Sequence, residues 1–485
     1  MSDAWSAVGN PKLLVIGLDC ATPDLFFDRH LQNIPTIKRL QLSGIRGQLE
    51  SSDPPITIPA WMCMATGKTP GQIGVYGFRH LKKGTYDKTW IATSSSIQGK
   101  TAWECLGENG LASIVVGVPP SYPVRPFNGN LVSCFITPST SNEFTHPPAL
   151  KKEILGKFGH YTFDVSFRIE EKKELFENLV KMTEERHEVV KHLLTTKPWD
   201  MCWYVEIGLD RVHHSYWKYF DERHKHHEPG SEYRGYIDEY EQLLDRQVKE
   251  IIDLVPDDTT ILVVSDHGAQ PMDGCMCINE WLIQEGYLYL NKYPDKVTAP
   301  EKLDVDWGRT RAIGWGGYYA RVFFNVEGRE PRGVIRREDF PREREELRRK
   351  IEAMKGPDGM LLGNKTYLSG DLYPDGYLGD DPDLFVYFAN LAWRSAGTVG
   401  HKRLYLEEND TGPDDAVHAK QGLFIGTTKQ RYLEFAREQD TVIDARLKGA
   451  RIQQFSIYDV FPTIMDHFGI EVARGGRGKS IPLPR

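Results

Sequence analysis

Short apolar segments recur along the chain and alternate with longer segments in which apolar residues recur every three or four positions. The apolar segments are residues 13–18, 112–118, 201–207 and 260–265, and the clearest helical segments are 170–194 and 232–254. Apolar runs of this length predict buried strands, and the three-and-four spacing predicts amphipathic helices. We therefore predict an α/β fold with a mostly parallel central sheet and helices on both faces.

The pattern changes between about residue 283 and residue 414. Tyr, Gly, Pro and Arg become frequent there, around a charged helix predicted at residues 342–354. The apolar pattern resumes at residues 422–426 and 455–469. We predict an α/β core formed by residues 1–282 and 415–485, with a smaller cap-like subdomain inserted at 283–414.

The composition is that of a globular protein. The chain has 485 residues, of which 40% are apolar, and a net charge of −8 from 60 Lys and Arg against 68 Asp and Glu. This balance excludes a disordered chain. It also argues against an extended nucleic-acid surface, which needs a basic face. No apolar run approaches the roughly 20 residues of a membrane span, so we expect none.

The N-terminus and the cysteines bear on the cellular compartment. The first apolar run stops at Asp19, with no basic segment before it and no small-residue cleavage site, which predicts a leader followed by a strand rather than a signal peptide. Seven cysteines, an odd number without a CxxC pair, do not indicate a disulfide framework. We expect a cytoplasmic protein.

Polar side chains follow three of the predicted strands. Asp19 follows LLVIGL, Asp266 and His267 follow TTILVVS, and Asp210 lies three residues after the segment 201–207. Ligands of open α/β sheets bind at the carboxyl ends of the strands. A carboxylate beside an imidazole suits a divalent metal such as zinc. From position alone, Asp19 is either a ligand or a helix cap, and Asp266 either a ligand or a cap beside a structural histidine.

Two further histidines are candidate ligands. Asp210 and His214, four residues apart, share one face if the segment is helical and reach one ion, whereas His213 points elsewhere. His418 precedes an apolar strand, and a lone histidine is usually structural. It becomes a candidate because the other positions leave one ion short of a ligand. The histidine-rich residues 224–227 lie in a connection rich in Pro and Gly, so we expect a solvated loop there.

Thr57 is the candidate nucleophile. It lies between Pro55 and Pro59, before a short helix predicted in AWMCMATG. Backbone N–H groups at a helix N-terminus create a positive field that favours an incoming phosphate. An N-cap threonine without catalytic function is the alternative at this point.

Taken in order, these motifs resemble the alkaline phosphatase superfamily, and specifically its type I phosphodiesterase/nucleotide pyrophosphatase branch. The resemblance covers almost the whole chain, including the H-x-x-x-G motif at His418 and Gly422. Its other parts are TIPAWMCMATGKTPGQIGVYGF, VGVPPSYP, SDHG, INEWL, GREPRGV and IYDVFPTI.

The resemblance implies two divalent metal ions, usually zinc, with manganese or magnesium as alternatives. It implies that Asp210, His214 and His418 hold the ion that activates water. Asp19, Asp266 and His267 then hold the second ion, with Thr57 as a further ligand and as the nucleophile.

The implied activity is hydrolysis of a small phosphoester through a phosphoryl-threonine intermediate, as in a phosphodiesterase or nucleotide pyrophosphatase. A phosphomonoesterase or phosphoryl transferase with the same metals is one alternative, and a non-catalytic ligand sensor is another. The Thr57–Trp61 segment lacks the nucleophile and the arginine of the sulfatase motif, which argues against a sulfatase.

Substrate binding departs from the family pattern. Ala60 and Trp61 stand where nucleotide pyrophosphatases of this branch often have an Asn-His pair. The substrate-binding candidates are Trp61, Lys68, Arg79 and His80. We expect the aromatic residues Trp61, Tyr76 and Phe78, and those of the segment 314–319, either to line a leaving-group pocket or to pack under the subdomain.

Overall fold

The computed structural model describes residues 10–438, 440–472 and 476–484. The first nine residues, which belong to the predicted leader, lie outside the described residues. In these ranges, no helix combines the length and the apolar composition needed to cross a membrane.

Strands and helices alternate through the first half of the chain, as the apolar pattern predicts. The strands are β1 Leu13–Leu18, β2 Ile45–Glu50, β3 Arg79–Leu81, β4 Thr89–Ile91, β5 Ser113–Val116, β6 Gly129–Val132, β7 Thr145–His146, β8 Met201–Glu206, β9 Thr260–Val264, β10 Gly268–Pro271, β11 Gly274–Cys277, β12 Ala312–Trp315, β13 Ala320–Phe324, β14 Lys365–Tyr367, β15 Leu384–Tyr387, β16 Trp393–Ala396, β17 Tyr405–Leu406, β18 Ala416–Ala419, β19 Gln421–Thr428 and β20 Gln453–Ser456. The helices are α1 Pro35–Ser43, α2 Thr57–Thr66, α3 Pro70–Ile73, α4 Ala102–Glu108, α5 Ala149–Phe158, α6 Lys172–Thr196, α7 Gly208–Phe220, α8 Tyr236–Leu254, α9 Ile278–Gln284, α10 Phe340–Glu352, α11 Ser369–Leu372, α12 Lys429–Phe435, α13 Asp440–Gly449 and α14 Val460–His467.

A central sheet organises the molecule. Among the described residues it has nine strands in the order β20-β2-β19-β9-β1-β8-β5-β6-β7. β1 pairs in parallel with β8 on one side and with β9 on the other, so the carboxyl ends of these three strands lie side by side. β19 and β7 run opposite to the other strands. The predicted mostly parallel sheet is confirmed.

Helices cover both faces of this sheet. Side chains of a strand point alternately to its two faces, and in β1 all six are buried. Leu14, Ile16 and Leu18 pack with apolar residues of α1, α6, α7 and α8. Leu13 and Val15 pack on the other face with residues of α2, α4 and α14. Burial on both faces explains why the strands are continuous apolar runs.

The predicted element boundaries differ from the structure by a few residues. The first strand occupies Leu13–Leu18 as predicted, and the other three end one or two residues earlier. The long helix begins at Lys172 rather than at residue 170. The segment 232–254 opens with a 3₁₀ turn at Glu232–Gly235 before the α-helix begins at Tyr236.

A second unit lies outside the central sheet. Strands β12, β13, β15 and β14 form an antiparallel sheet. Strands β16, β11 and β17 form a mixed sheet, in which β11 runs parallel to β16 and antiparallel to β17. Strand β11 precedes the boundary predicted at residue 283, and helix α9 begins before it. Nevertheless β11 pairs with β16 and β17, and Ile278 and Leu282 of α9 join the apolar cluster of this unit. Its packing therefore starts near residue 274.

Candidate active site

The three strand-end segments singled out from the sequence meet at one edge of the central sheet. Asp19 directly follows β1, Asp266 lies two residues after β9, and Asp210 lies in the first turn of α7, just after β8. Parallel pairing of β1 with β8 and β9 brings these carboxylates together. All three side chains are buried.

Asp19, Asp266 and His267 form the first cluster. Their ligand-type atoms all lie within 4.8 Å of one another. His267 Nε2 is 3.2 Å from Asp266 Oδ2 and 3.8 Å from Asp19 Oδ1. The other oxygen of each carboxylate is held from outside the cluster. Trp61 Nε1 donates to Asp19 Oδ2 at 2.7 Å, and the Cys20 backbone N–H donates to Asp266 Oδ1 at 3.2 Å.

Asp210, His214 and His418 form the second cluster, again within 4.8 Å. Helix α7 places Asp210 and His214 on one face, as predicted, with 3.3 Å between Asp210 Oδ1 and His214 Nε2. Strand β18 pairs with β10, which directly follows His267, and brings His418 opposite Ala269. His418 Nε2 is 3.5 Å from Asp210 Oδ1 and 3.3 Å from His214 Nε2.

The two clusters adjoin. The rings of His267 and His418 stack with 3.7 Å between their centroids. Cys20, which sequence reasoning placed in no site, also lies here: its Sγ is within 4.8 Å of ligand atoms of Asp210 and His267. Burial raises the pKa of this thiol well above its ordinary value, and the thiol donates to the Gly268 carbonyl.

Each of the three imidazoles is oriented through its Nδ1. His418 Nδ1 donates to the Pro55 carbonyl at 2.8 Å, and His267 Nδ1 donates to the Gly268 carbonyl at 3.2 Å. His214 Nδ1 donates to Asp414 Oδ1 at 2.7 Å and to the Ala416 carbonyl. With the proton on Nδ1, each Nε2 presents its lone pair to the cluster, the tautomer that a metal requires.

The donor set fits divalent metal ions. Asp19 Oδ1, Asp210 Oδ1 and Asp266 Oδ2 are buried and have no hydrogen-bond partner among the described residues. Unpaired buried carboxylate oxygens are strongly disfavoured unless a cation compensates them. The first cluster offers two such oxygens and one imidazole Nε2 atom, and the second offers one such oxygen and two Nε2 atoms. Zinc and similar cations bind mixed oxygen and nitrogen ligands of this kind.

The pKa shifts of the three carboxyl groups also favour bound cations. Burial, together with the charge of neighbouring Asp19, raises the pKa of Asp266 well above its ordinary value. Burial and the charge of Asp210 do the same to the pKa of Asp19. Burial opposes ionisation of Asp210 as well, but His214, His418 and Arg211 outweigh it and hold its pKa low. Three crowded carboxylates therefore do not all ionise until cations join them.

Thr57 lies at the first cluster. It is the first residue of helix α2, after the extended N-cap Ile56, and its Oγ1 is 3.2 Å from His267 Nε2. One prediction needs correction here. The helix begins at Thr57 rather than after Pro59, because a proline in the first turn loses no intrahelical hydrogen bond. The N-cap is Ile56, which goes against the alternative of a capping threonine, and the Thr57 hydroxyl lies at His267.

Helix α2 reaches the cluster because β1 leaves room for it. A side chain at Gly17 would come within 2.6 Å of the Trp61 ring. The glycine therefore lets Trp61 lie against the strand with its Nε1 at Asp19. We predicted Trp61 as a substrate-binding residue; the structure places it fully buried, as the group that orients Asp19.

A cavity of about 490 Å³ adjoins the second cluster. Tyr318 joins the two, since its hydroxyl is 3.1 Å from His214 Nε2 and its ring stacks on His418 at 3.8 Å. Five aromatic residues and five arginines line the cavity, together with small, polar and acidic residues. The lining includes Ile56, Phe78, Arg79, Arg168, Arg211, Glu301, Trp315, Tyr318, Tyr319, Arg321, Arg394, Ser395 and Asp410.

The remaining substrate-binding candidates are dispersed. Arg79 lines the cavity, whereas Lys68 and His80 do not. His80 is buried and stacks on Trp90 at 4.0 Å, and burial together with Arg321 lowers its pKa to about 3, so it is neutral. Lys68 lies beside Gly99.

The histidines left out of the site also differ in part from expectation. His213 points away from the cluster, as predicted, but it is fully buried with its Nε2 3.9 Å from Glu241 Oε1. Within the segment 224–227, His224 is buried rather than solvated, with its Nε2 at the Asp415 carbonyl.

Comparison with known proteins gives one family and several similar folds. The sequence profile of the type I phosphodiesterase / nucleotide pyrophosphatase family matches residues 13–414. A comparison with curated proteins finds no match.

Murine ectonucleotide pyrophosphatase / phosphodiesterase 5 is a similar solved structure, with a TM-score of 0.54 and 13% identity over 96% of this chain and 97% of that one. Its inactive threonine-to-alanine variant in complex with AMP matches at 12% identity with the same TM-score and the same coverage. Phosphonoacetate hydrolase from Sinorhizobium meliloti, in complex with phosphonoformate, has a TM-score of 0.55 and 14% identity over 91% of this chain and 96% of that one. At these identities the likeness concerns the fold.

Proposed function

The chain belongs to the type I phosphodiesterase/nucleotide pyrophosphatase family, and from that premise we propose that it is a two-metal phosphoric ester hydrolase acting through a phosphothreonine at Thr57. One observation carries the proposal. The Thr57 hydroxyl lies 3.2 Å from His267, at a helix N-terminus and beside two adjoining clusters of metal-ligand side chains.

The six carboxylate and imidazole side chains would hold the metal ions in two sets: Asp19, Asp266 and His267, and Asp210, His214 and His418. When bound, two divalent cations would stabilise negative charge on the phosphoryl oxygens and lower the pKa of a water molecule.

The chain's own groups supply the nucleophile and its position. Thr57 Oγ1 loses its proton to solvent and attacks phosphorus, and a phosphothreonine forms. The bond from phosphorus to the leaving-group oxygen breaks, and that oxygen departs with the electron pair and takes up a proton from solvent. Water then attacks this phosphothreonine, which releases the phosphate product and restores the hydroxyl. The dipole of helix α2 favours negative charge on the phosphoryl group at Thr57 throughout.

Two solved structures support the assignment by analogy. The murine phosphodiesterase is inactive when a threonine is replaced by alanine, and that variant binds AMP. The bacterial hydrolase binds phosphonoformate, a small anion containing phosphorus. We extend the role of the threonine to Thr57 and propose a diester or pyrophosphate substrate.

Substitution of the nucleophile tests the mechanism. We expect Thr57→Ala to lower turnover of bis-p-nitrophenyl phosphate by roughly 10³-fold or more, as loss of a nucleophile does elsewhere, while the metal content stays at two ions per chain. Thr66→Ala is the matched control, because Thr66 is a buried threonine of the same helix whose hydroxyl bonds to the Met62 carbonyl. A Thr57→Ala enzyme with most of its activity would refute the nucleophile.

The substrate class is tested by assaying p-nitrophenyl phosphate and a dinucleoside pyrophosphate in parallel with the diester. We expect higher kcat/KM for the diester or the pyrophosphate. Faster hydrolysis of the monoester would instead favour a phosphomonoesterase.

A further inference from the structure

Four residues that line the cavity beside the two candidate metal-ligand clusters have hydrogen-bond donors without an acceptor among the described residues. Trp315 Nε1, Arg321 Nε, Arg394 Nε and Ser395 Oγ are buried and have no hydrogen-bond partner among the described residues. These four residues all line this one cavity, and each is at least nine-tenths buried. Buried donors without acceptors are costly, so four of them among the residues that line one cavity favour a ligand that brings acceptor oxygens.

Arg321 adds an uncompensated charge. Its Nη1 donates to the Arg79 carbonyl and its Nη2 to the Gly316 carbonyl, and it forms no ion pair with any described carboxylate. A guanidinium stays protonated in proteins, so this is a buried positive charge whose partners are dipoles alone. An anion in the cavity would supply the missing counter-charge.

The other arginines of the cavity have carboxylate partners within the protein. Arg168 and Arg394 both pair with Asp414, and Arg211 pairs with Asp164 and Asp210. Arg79 lies 3.8 Å from Glu301.

Two carboxylates, Glu301 and Asp410, also line the cavity. Glu301 lies 3.8 Å from Arg79, and Asp410 accepts a hydrogen bond from Thr398 at 2.7 Å. Among the described residues, neither forms an ion pair with Arg321.

The cavity lies beside the proposed nucleophile and the second cluster. Ile56, the residue before Thr57, lines it, as does Tyr318, whose hydroxyl lies 3.1 Å from His214. A substrate with its phosphorus at Thr57 extends from there into the cavity. The aromatic rings of Phe78, Trp315 and Tyr319 in the cavity lining suit the organic part of a leaving group.

We propose that this cavity binds the leaving group of the substrate, and that Arg321, Trp315, Arg394 and Ser395 recognise a second anionic group on it, a carboxylate or a phosphate. The inference rests on the proposed phosphoester hydrolysis and narrows its substrates to those with a charged leaving group.

Four aryl methyl phosphate diesters test this inference on the zinc-loaded enzyme. Their leaving groups are phenol, 4-hydroxybenzamide, 4-hydroxybenzoate and 4-hydroxyphenylphosphonate, and phenol release is followed by chromatography. The benzamide is the neutral counterpart of the benzoate. We expect kcat/KM for at least one anionic ester to exceed that of the benzamide by about tenfold or more, the effect of one charged hydrogen bond.

The benzoate and phosphonate esters identify the anion. The larger kcat/KM of the two tells whether the pocket is built for a carboxylate or for a phosphate. Equal values for the anionic and neutral esters in the wild-type enzyme would overturn the inference.

Variants assign the effect to the donors. Arg321→Met should remove the preference for the anionic ester. Because the variant also loses the bonds to the Arg79 and Gly316 carbonyls, the readout is the ratio of kcat/KM for the anionic ester to that for the benzamide. Trp315→Phe, which deletes one N–H and keeps an aromatic ring, should reduce the preference in part. The control is Arg309→Gln, an exposed arginine that stacks on Tyr289 and does not line the cavity.

Binding measurements separate this inference from the proposed function. Calorimetric titration compares 4-hydroxybenzoate and 4-hydroxyphenylphosphonate with 4-hydroxybenzamide, and it needs no turnover. The anionic subsite is supported if an anionic phenol binds more tightly than the benzamide and this preference is lost in Arg321→Met. The same result without hydrolysis of any ester would refute only the proposed hydrolase. Equal binding of charged and neutral phenols, or a preference that survives in Arg321→Met, would overturn the subsite.

Discussion

Asp414 Oδ1 lies 2.7 Å from His214 Nδ1, and both side chains are buried. The other oxygen of this carboxylate accepts from Arg168 and Arg394 at 3.0 and 2.7 Å. Asp414 therefore connects a candidate metal-ligand histidine with two arginines of the neighbouring cavity. The two charge-assisted bonds fix the carboxylate, and the carboxylate fixes the imidazole with its Nε2 toward Asp210.

Removing the charge of Asp414 should weaken metal binding at the second cluster, formed by Asp210, His214 and His418. We expect Asp414→Asn to lower zinc affinity at this cluster by about 10- to 100-fold, the usual cost of losing a carboxylate behind a ligating histidine. Competition with a chromogenic chelator measures this affinity, and excess zinc should restore part of the activity. Asp375→Asn, which breaks a surface pair with Arg477, is the control and should bind zinc like the wild type. Unchanged affinity in Asp414→Asn would show that Asp414 does not tune His214.

The Trp61 N–H should strengthen metal binding at the first cluster, as Asp414 does at the second. Trp61→Phe keeps a buried ring but deletes the N–H that Asp19 Oδ2 accepts, so we expect weaker zinc binding at Asp19, Asp266 and His267, by about tenfold.

Trp203→Phe is the matched control for Trp61. Trp203 is buried and packs edge-on against Trp61, but its Nε1 has no partner among the described residues. Equal losses of affinity in the two variants would assign the effect to packing rather than to the hydrogen bond.

The sequence located most of the candidate metal ligands because their positions follow from local patterns. An apolar run that ends in Asp19 or Asp266 places that residue at the carboxyl end of a strand, and parallel strands end at the same edge. The spacing of Asp210 and His214 is a property of any helix. These rules need no knowledge of distant contacts.

Residues brought in by long-range pairing were harder to find. His214 meets Asp414 because β18 pairs with β10, and the interval of 200 residues between them carries no local signal. A pair of aspartates just before the His418 strand was the one available hint. Trp61 was assigned to substrate because its hydrogen bond to Asp19 depends on the packing of α2 against Gly17. The cavity arginines Arg79, Arg168, Arg211, Arg321 and Arg394 come from five separate segments of the chain.

The number of metal ions can be tested one cluster at a time. We expect two ions per chain in the wild type, and one in His267→Ala and in His418→Ala, since each variant removes a nitrogen ligand from a different cluster. Elemental analysis after dialysis against low zinc measures the content. His146→Gln, which changes a histidine of the edge strand β7 outside both clusters, should retain two ions. Two ions retained in either alanine variant would remove that histidine from the ligand set.

The pH dependence of stability should report on Asp415. Burial raises the pKa of this carboxyl to about 7, against the opposing charges of Lys218 and Lys172. An unfolded aspartate titrates near pH 4, so between about pH 4 and 7 the folded chain keeps a proton that the unfolded chain has lost. The free energy of unfolding therefore falls as pH rises through this window and levels off above it.

Asp415→Asn removes this titration. The difference in free energy of unfolding, variant minus wild type, should increase by on the order of a few kcal/mol between about pH 4 and 7 and stay constant above about pH 7. Urea unfolding at constant zinc across this range gives the difference. Asp295→Asn is the control, because the Asp295 side chain is 85% exposed and its curve should run parallel to that of the wild type. A parallel curve for Asp415→Asn as well would mean that Asp415 is ionised in the folded chain at pH 5, with Lys218 and Lys172 offsetting its burial.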